Sequence, residues 1–191
     1  MTQRYREIAF TPAVRAAQVR NGSADIYATA TPGVSAGGEA DALTAAEMTF
    51  ISLRDSFYFA TVSASGWPYM QHRGGPPGFV KIISPHQIAI ADYRGNQQYV
   101  SLGNLADNDR ASLFFMDYMN RYRLKVLARA RIIDLTGDAA LAQQLSDPAY
   151  DGALERGILF EIEAFDWNCP KYITPRFTEA ELQMLMSRPS P

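Results

Sequence analysis

The run Gln71-His72-Arg73-Gly74-Gly75-Pro76-Pro77-Gly78-Phe79-Val80-Lys81 decides how this chain is read. It ends one candidate strand in polar side chains, then exposes backbone through a Gly/Pro-rich turn, then enters another strand. Upstream, Phe57 to Ser63 is aromatic and β-branched, Ser65-Gly66 makes a tight turn, and Trp67 to Gln71 runs back. Downstream, Phe79 to Ile83 turns at Pro85-His86 into Gln87 to Tyr93. The strands follow one another through turns rather than crossover helices.

The rest of the chain continues this pattern. Asn96 to Asn108 reads as a helix carrying Val100, Leu102 and Leu105. Ala111 to Asp117 and Arg123 to Leu135 read as strands, Asp138 to Leu145 as a short helix. In Gly157 to Phe165, strict alternation puts Ile158, Phe160, Ile162 and Ala164 on one face. Two capping boxes mark helix starts: Thr44 with Glu47, running to about Arg54, and Thr178 with Glu181, ending before Pro189. The sum is a mostly β chain with a few helices: six or seven strands in an antiparallel barrel, with helices plugging its ends.

Residues 1–42 differ. Thr11 to Arg20 fits a short helix with Pro12 at an early position, and Thr31-Pro32-Gly33 and Gly37-Gly38 break any regular element. This segment holds little core material and is expected to be an arm, packed on the barrel of residues 43–191 or on a partner subunit.

The 191 residues suffice for one domain of ordinary size. A net charge of −2 argues against non-specific nucleic-acid binding, which draws on a basic surplus. One cysteine, Cys169, allows no intrachain disulfide. With only His72 and His86 beside it, a His/Cys metal site lacks ligands. No apolar run approaches the roughly 20 residues that span a bilayer, and Met1 to Phe10 is too polar for a secretory signal. The expected location is the cytoplasm, without membrane attachment. No G-x-S-x-G elbow, phosphate loop or G-x-G-x-x-G fingerprint is present.

What remains is an anion site in the middle of the chain. Gln71 to Gly75, Lys81, and the amide-rich helix start Arg94-Gly95-Asn96-Gln97-Gln98 combine cations with backbone donors. Arg121, Arg123 and Lys125 alternate onto one face of the next long strand. Each has a plainer reading as well: Lys81 and the Arg121 run as solvated strand residues, Asn96 to Gln98 as a helix cap, the Gly/Pro run as a loop.

The order of three blocks adds a resemblance. They are Gln71 to Lys81; Ala91-Asp92-Tyr93-Arg94-Gly95-Asn96-Gln97-Gln98-Tyr99; and Gly103-Asn104-Leu105 with Asn108-Asp109-Arg110-Ala111-Ser112-Leu113-Phe114-Phe115. With the tail Trp167 to Phe177, this order resembles the pyridoxamine 5′-phosphate oxidase-like family of FMN-binding split barrels, over roughly residues 45 to 177. The resemblance implies a six-stranded antiparallel split barrel and a homodimer with one FMN in each of two interface clefts. It implies cofactor contacts from Gln71, His72, Arg73, Gly74, Phe79, Val80, Lys81, Asp92, Asn96, Gln97, Gln98 and Tyr99. It further implies contacts from Trp167, Asn168 and Lys171, in a C-terminal segment approaching the cofactor of the partner subunit. Lys81 falls where the family carries a strand lysine near flavin and phosphate. The chain departs at the helix start, where Gly95-Asn96-Gln97 stands in place of an Arg-Lys pair, and in its tail, where only Lys171 and Arg176 are basic. Pyridoxamine phosphate is therefore not the expected substrate. The leading expectation is a flavin-dependent oxidoreductase of unknown substrate. The alternatives are a flavin carrier or sensor without turnover, or a split barrel holding heme or a deazaflavin. No catalytic acid or base stands out; Tyr118 and His72 are the candidates.

Overall fold

In the computed structural model, residues 1–28, 39–148, 150 and 152–187 are described. The breaks expected at Thr31 to Gly33 and at Gly37-Gly38 lie outside them, as does Pro189. The strands are β1 (Ser56–Val62), β2 (Pro68–Gly74), β3 (Lys81–Ser84), β4 (Gln87–Tyr93), β5 (Arg110–Asp117), β6 (Tyr122–Ile133) and β7 (Leu154–Trp167). The helices are α1 (Gln3–Ala9), α2 (Pro12–Arg20), α3 (Ala45–Ser52), α4 (Val100–Asp107), α5 (Ala139–Leu145) and α6 (Glu179–Met186).

All pairings are antiparallel, in the order β2-β1-β5-β6-β7-β4-β3. The sheet has seven strands rather than six. Its closure shows why both numbers make sense. One row of register partners runs Arg73, Phe57, Phe115, Leu124, Trp167 across β2, β1, β5, β6 and β7. Arg73 then reaches Asp92 of β4, at 2.7 Å. Asp92 pairs with Arg156, at the opposite end of β7 from Trp167. Six staggered strands thus close round a core, and the four-residue β3 pairs with β4 beyond the seam. Stagger of this kind is what closing a sheet requires.

Alternation fills the interior. Phe57, Phe59, Leu113, Phe115, Leu124, Val126, Ile158 and Phe160 are fully buried. Phe57 stacks on Phe115 and on Phe79, with centroids 4.9 and 5.9 Å apart. Each such side chain contributes about 1.5–3 kcal/mol by leaving water. The face Ile158, Phe160, Ile162, Ala164 of β7 is buried as its pattern requires. A smaller cluster gathers Leu135, Leu145 and Leu159 under α5.

Both capping boxes form, at Thr44 with Glu47 and at Thr178 with Glu181. Pro12 opens α2, with Thr11 as its cap. Helix α1, absent from the sequence reading, buries no residue and so shows no apolar stripe. It is held on β7 by polar contacts: the Thr2 hydroxyl donates to the Phe165 carbonyl at 3.1 Å, and Arg4 pairs with Glu163 at 3.2 Å. Among the described residues, no helix is long and apolar enough to cross a membrane.

Glu47 does two jobs. One carboxylate oxygen accepts from the Thr44 backbone at 2.9 Å, and the other from the Trp167 indole at 2.6 Å. Trp167 in turn meets Phe50 edge-on at 4.7 Å. Burial alone would raise the Glu47 pKa, but the bonds from Thr44 and Trp167 outweigh it and hold the carboxyl below its ordinary range. A depressed folded pKa means stability that is present above the unfolded value of about 4.3 and lost as pH falls through the folded one. Glu47→Gln is therefore expected to cost about 2 kcal/mol at neutral pH. In urea unfolding, its deficit relative to the parent chain should shrink as pH falls below about 4. A pH-independent deficit would contradict this account.

Candidate functional site

Strand β2 alternates along the seam. Tyr69, Gln71 and Arg73 are half-buried on one side, while Met70 and His72 are exposed on the other. The Gln71 side-chain amide oxygen Oε1 accepts from the Ser101 hydroxyl at 3.2 Å, which ties β2 to α4. Asn104, also on α4, donates to the Thr61 hydroxyl at 2.9 Å inside the barrel, a structural bond. Arg73 donates to one Asp92 oxygen, and Arg156 lies 3.9 Å from the other. Asp92 is 6% exposed. The Arg73 Nε is buried and has no partner among the described residues, so the pair leaves a donor still to be satisfied.

The helix expected from Asn96 starts only at Val100. Residues Asn96 to Tyr99 form a loop in which Gln97 and Tyr99 take left-handed backbone conformations, φ 59° and 52°. The Asn96 side chain accepts from the Gln98 N–H at 3.2 Å, a local turn that competes with helix. Left-handed backbone at a residue with a side chain costs of order 1 kcal/mol or more, and such strain gathers at sites of function. Tyr99 is the cap residue of α4, yet no side chain caps the helix. The first N–H groups of α4, at Val100, Ser101 and Leu102, belong to residues that line a cavity of about 190 Å³. Helix starts of this kind bind anions.

That cavity brings together most of the anticipated middle stretch: Gln71, Arg73 and Asp92 from the strands, and Asn96, Gln97, Gln98 and Tyr99 from the loop. Arg94 does not join it as a free cation. Its Nε pairs with Glu155 at 2.8 Å, and that bond holds the Glu155 carboxyl below its ordinary range. A second cavity of about 190 Å³ shares Arg73 and Tyr93 with the first and adds His72, Gly74 and Phe79. Tyr93 stacks on Tyr150 there, at 4.7 Å and 17°.

Other anticipated residues lie elsewhere. Val80 is buried in the core. Lys81 is half-buried at the start of β3, opposite Ala89, and lines neither cavity. Trp167 points its indole N–H at Glu47. Asn168 donates its backbone N–H to the Arg123 carbonyl at 3.1 Å, and Lys171 is exposed. None of these three lines either cavity within one chain. The basic run does not act as one cluster: Arg121 lies outside β6 with φ 58°, Lys125 is taken by Asp166 at 3.5 Å, and the buried Arg123 Nε has no partner among the described residues. Sequence reasoning missed Tyr69, Ser101, Glu155 and Arg156. Ser101 alone carried a signal, as a hydroxyl one turn into the helix. Among the described residues, no group of three or more His, Cys, Asp or Glu is placed to hold a metal ion.

A family model described as pyridoxamine 5′-phosphate oxidase matches residues 43–157. No curated protein matches the chain in sequence. Among solved structures, the chain is similar to HupZ from Group A Streptococcus, at TM-score 0.51 and 15% identity over 64% of this chain and 92% of that one. A variant of the same protein aligns at TM-score 0.52 and 16% identity over 66% and 99%. An FMN-binding protein from Syntrophomonas wolfei covers 81% of this chain and 97% of its own, at TM-score 0.49 and 12% identity. At these identities the likeness is one of fold.

The seam pair makes a prediction. Asp92→Ala leaves the Arg73 guanidinium without its carboxylate and is expected to destabilise by about 3–5 kcal/mol. Adding Arg73→Met should recover part of the loss, giving a double-mutant cycle with a clear coupling energy in urea unfolding. Additive effects would mean that the pair does not close the barrel.

Proposed function

The chain belongs to the pyridoxamine 5′-phosphate oxidase family, and from that premise we propose that it is an FMN-binding flavoprotein, a flavin-dependent oxidoreductase working as a homodimer. One observation carries the reading: an uncapped helix start, reached through two left-handed residues, beside an arginine with an unsatisfied donor. A phosphate dianion answers each need. Its oxygens accept from backbone N–H groups and from the Arg73 guanidinium in charge-assisted bonds. Gln97 and Gln98 offer neutral donors in place of further cations. That moderates the charge around a group that Arg73 and the helix dipole already favour.

Bound FMN supplies two-electron transfer through its ring. The residues of this chain would anchor its phosphate and polar tail, leaving the ring toward the second cavity, where Phe79 and Tyr93 offer flat apolar walls. Each cavity is smaller than the roughly 300–1,000 Å³ of typical small-molecule pockets, which supports a cleft completed by a second copy. The outer face of β2, β1 and β5 suits that partner: Met70 is 67% exposed, beside half-buried Tyr58 and Phe114. In that arrangement Lys81, and Trp167 to Lys171 of the partner, would complete the cofactor contacts. The substrate remains an organic molecule other than pyridoxamine phosphate, for want of the basic groups that would hold it. The single cysteine and the net charge of −2 support a cytoplasmic protein without a nucleic-acid partner.

The purified protein reconstituted with FMN is expected to be yellow, with absorbance maxima at about 375 and 450 nm. Arg73→Ala should weaken FMN binding by about 10- to 100-fold, the range set by losing a hydrogen bond to a charged group. Lys81→Ala should weaken it too, by less. Flavin-fluorescence titration measures both. A colourless reconstituted protein, or an Arg73→Ala variant with parental affinity, would refute the reading.

A further inference from the structure

A cavity of about 350 Å³ lies beneath the C-terminal segment, apart from the two at the seam. It sits at the corner where α3 runs into β1, between the β5–β6 turn and the chain entering α6. Its walls are soft and apolar: the thioethers of Met116 and Met119, Pro77, and the rings of Tyr118 and Phe177. Two arginines line it. Arg54 is fully engaged: it pairs with Asp117 at 3.0 Å, donates to the Phe50 carbonyl at 3.2 Å, and packs over the Phe50 ring at 4.7 Å.

Arg176 is different. Among the described residues it meets no carboxylate and donates no hydrogen bond; its guanidinium lies 4.9 Å over the Tyr118 ring. The Tyr118 phenol interacts with that of Tyr58, which raises its pKa above the ordinary value. By contrast Arg4, Arg73, Arg94, Arg129 and Arg156 all have carboxylate partners. A guanidinium stacked on a ring keeps its planar N–H fork available for a carboxylate. The capping box engages Glu181 at the same corner, and Asp55 and Glu181 both line the cavity, so a second negative charge on a ligand would be repelled.

We propose that this cavity binds a small aromatic carboxylate, its carboxylate in the plane of the Arg176 guanidinium and its ring against Tyr118, Phe177 and the two methionines. The volume lies at the lower end of the range for small-molecule pockets. One free guanidinium selects a monoanion, and the flat walls select a planar body. The site does not depend on the flavin reading, since Arg176 takes no part in the phosphate cavity.

The test uses the whole chain loaded with FMN, methyl-labelled at methionine, with benzoate as probe and benzyl alcohol as its neutral counterpart. Benzoate should shift the Met116 and Met119 methyl resonances saturably, and benzyl alcohol should bind at least about tenfold more weakly. Arg176→Ala and Arg176→Gln should each lose about tenfold in benzoate affinity, with part of it kept in Arg176→Lys. All three variants should retain FMN affinity, read by flavin fluorescence in the same samples. Absence of saturable shifts, equal affinity for the two probes, or undiminished binding in Arg176→Ala and Arg176→Gln would each overturn the proposal. The fluorescence readout keeps a failure here separate from a failure of the flavin reading.

Discussion

A salt bridge joins two strands that share no ladder, and the rest of the molecule depends on it. β2 and β4 meet only through side chains, with Arg73 on Asp92 at 2.7 Å and Arg156 close to the same carboxylate. An exposed pair of this kind contributes at most about 1 kcal/mol. This one is different because its carboxylate is nearly sealed from water, so removing one partner would leave the other poorly solvated. The remaining circuit of the barrel is backbone hydrogen bonding and buried aromatic packing, which are strong but do not select where the sheet stops. The ion pair does. It fixes how β2 lies against β4, and with it the stagger of the six strands.

That choice of closure also makes the site. A continuous ladder would satisfy the outer edge of β2 but leave no opening there. The polar seam leaves one, and the inward residues of β2 face the start of α4 across it. Gln71 is held by Ser101, and Arg73 is held by Asp92. Both side chains are thus positioned before any ligand arrives, which lowers the ordering cost of binding. The left-handed residues Gln97 and Tyr99 complete the arrangement. They turn the chain sharply enough that α4 begins at the seam with its first donors uncapped.

Period and capping chemistry made most of the fold legible in the sequence. The alternation in β7, the two capping boxes and the turn at Ser65-Gly66 are local signals, and each has a local physical cause. The site was legible in part. Its residue types stand in one stretch, but three facts about them are not local. The Arg73–Asp92 pair depends on barrel closure across nineteen residues of chain, which no periodicity encodes. Trp167 has the look of a cofactor contact, yet its indole is committed to Glu47, 120 residues away. Asn96 to Tyr99 carries good helix-start residues, but the Asn96 side chain caps its own turn and delays the helix to Val100. Arg156 and Glu155 follow no recognisable pattern: Arg156 reaches the seam through its register opposite Asp92, and Glu155 sits at the bulge beside it.

The Gly/Pro turn explains how the seam stays open by a fixed amount. At Gly75 a β-carbon would come within 2.6 Å of Phe79 and 2.7 Å of the Tyr150 hydroxyl, so only glycine fits between them. Gly78 takes φ 91°, a conformation that residues with side chains adopt at a cost. The two glycines let the chain fold back on itself, so that Phe79 drops into the core against Phe57. Tyr150 then spans the turn, donating to the Gly74 carbonyl at 2.6 Å while its ring stacks on Tyr93 of β4. The turn is therefore anchored to the hydrophobic core on one side and to β4 on the other. These two anchors act with the ion pair: the turn limits how far β2 and β4 can separate, and Arg73 on Asp92 fixes how they meet. The run that first suggested a loop between two strands is the part that sets the size of the opening.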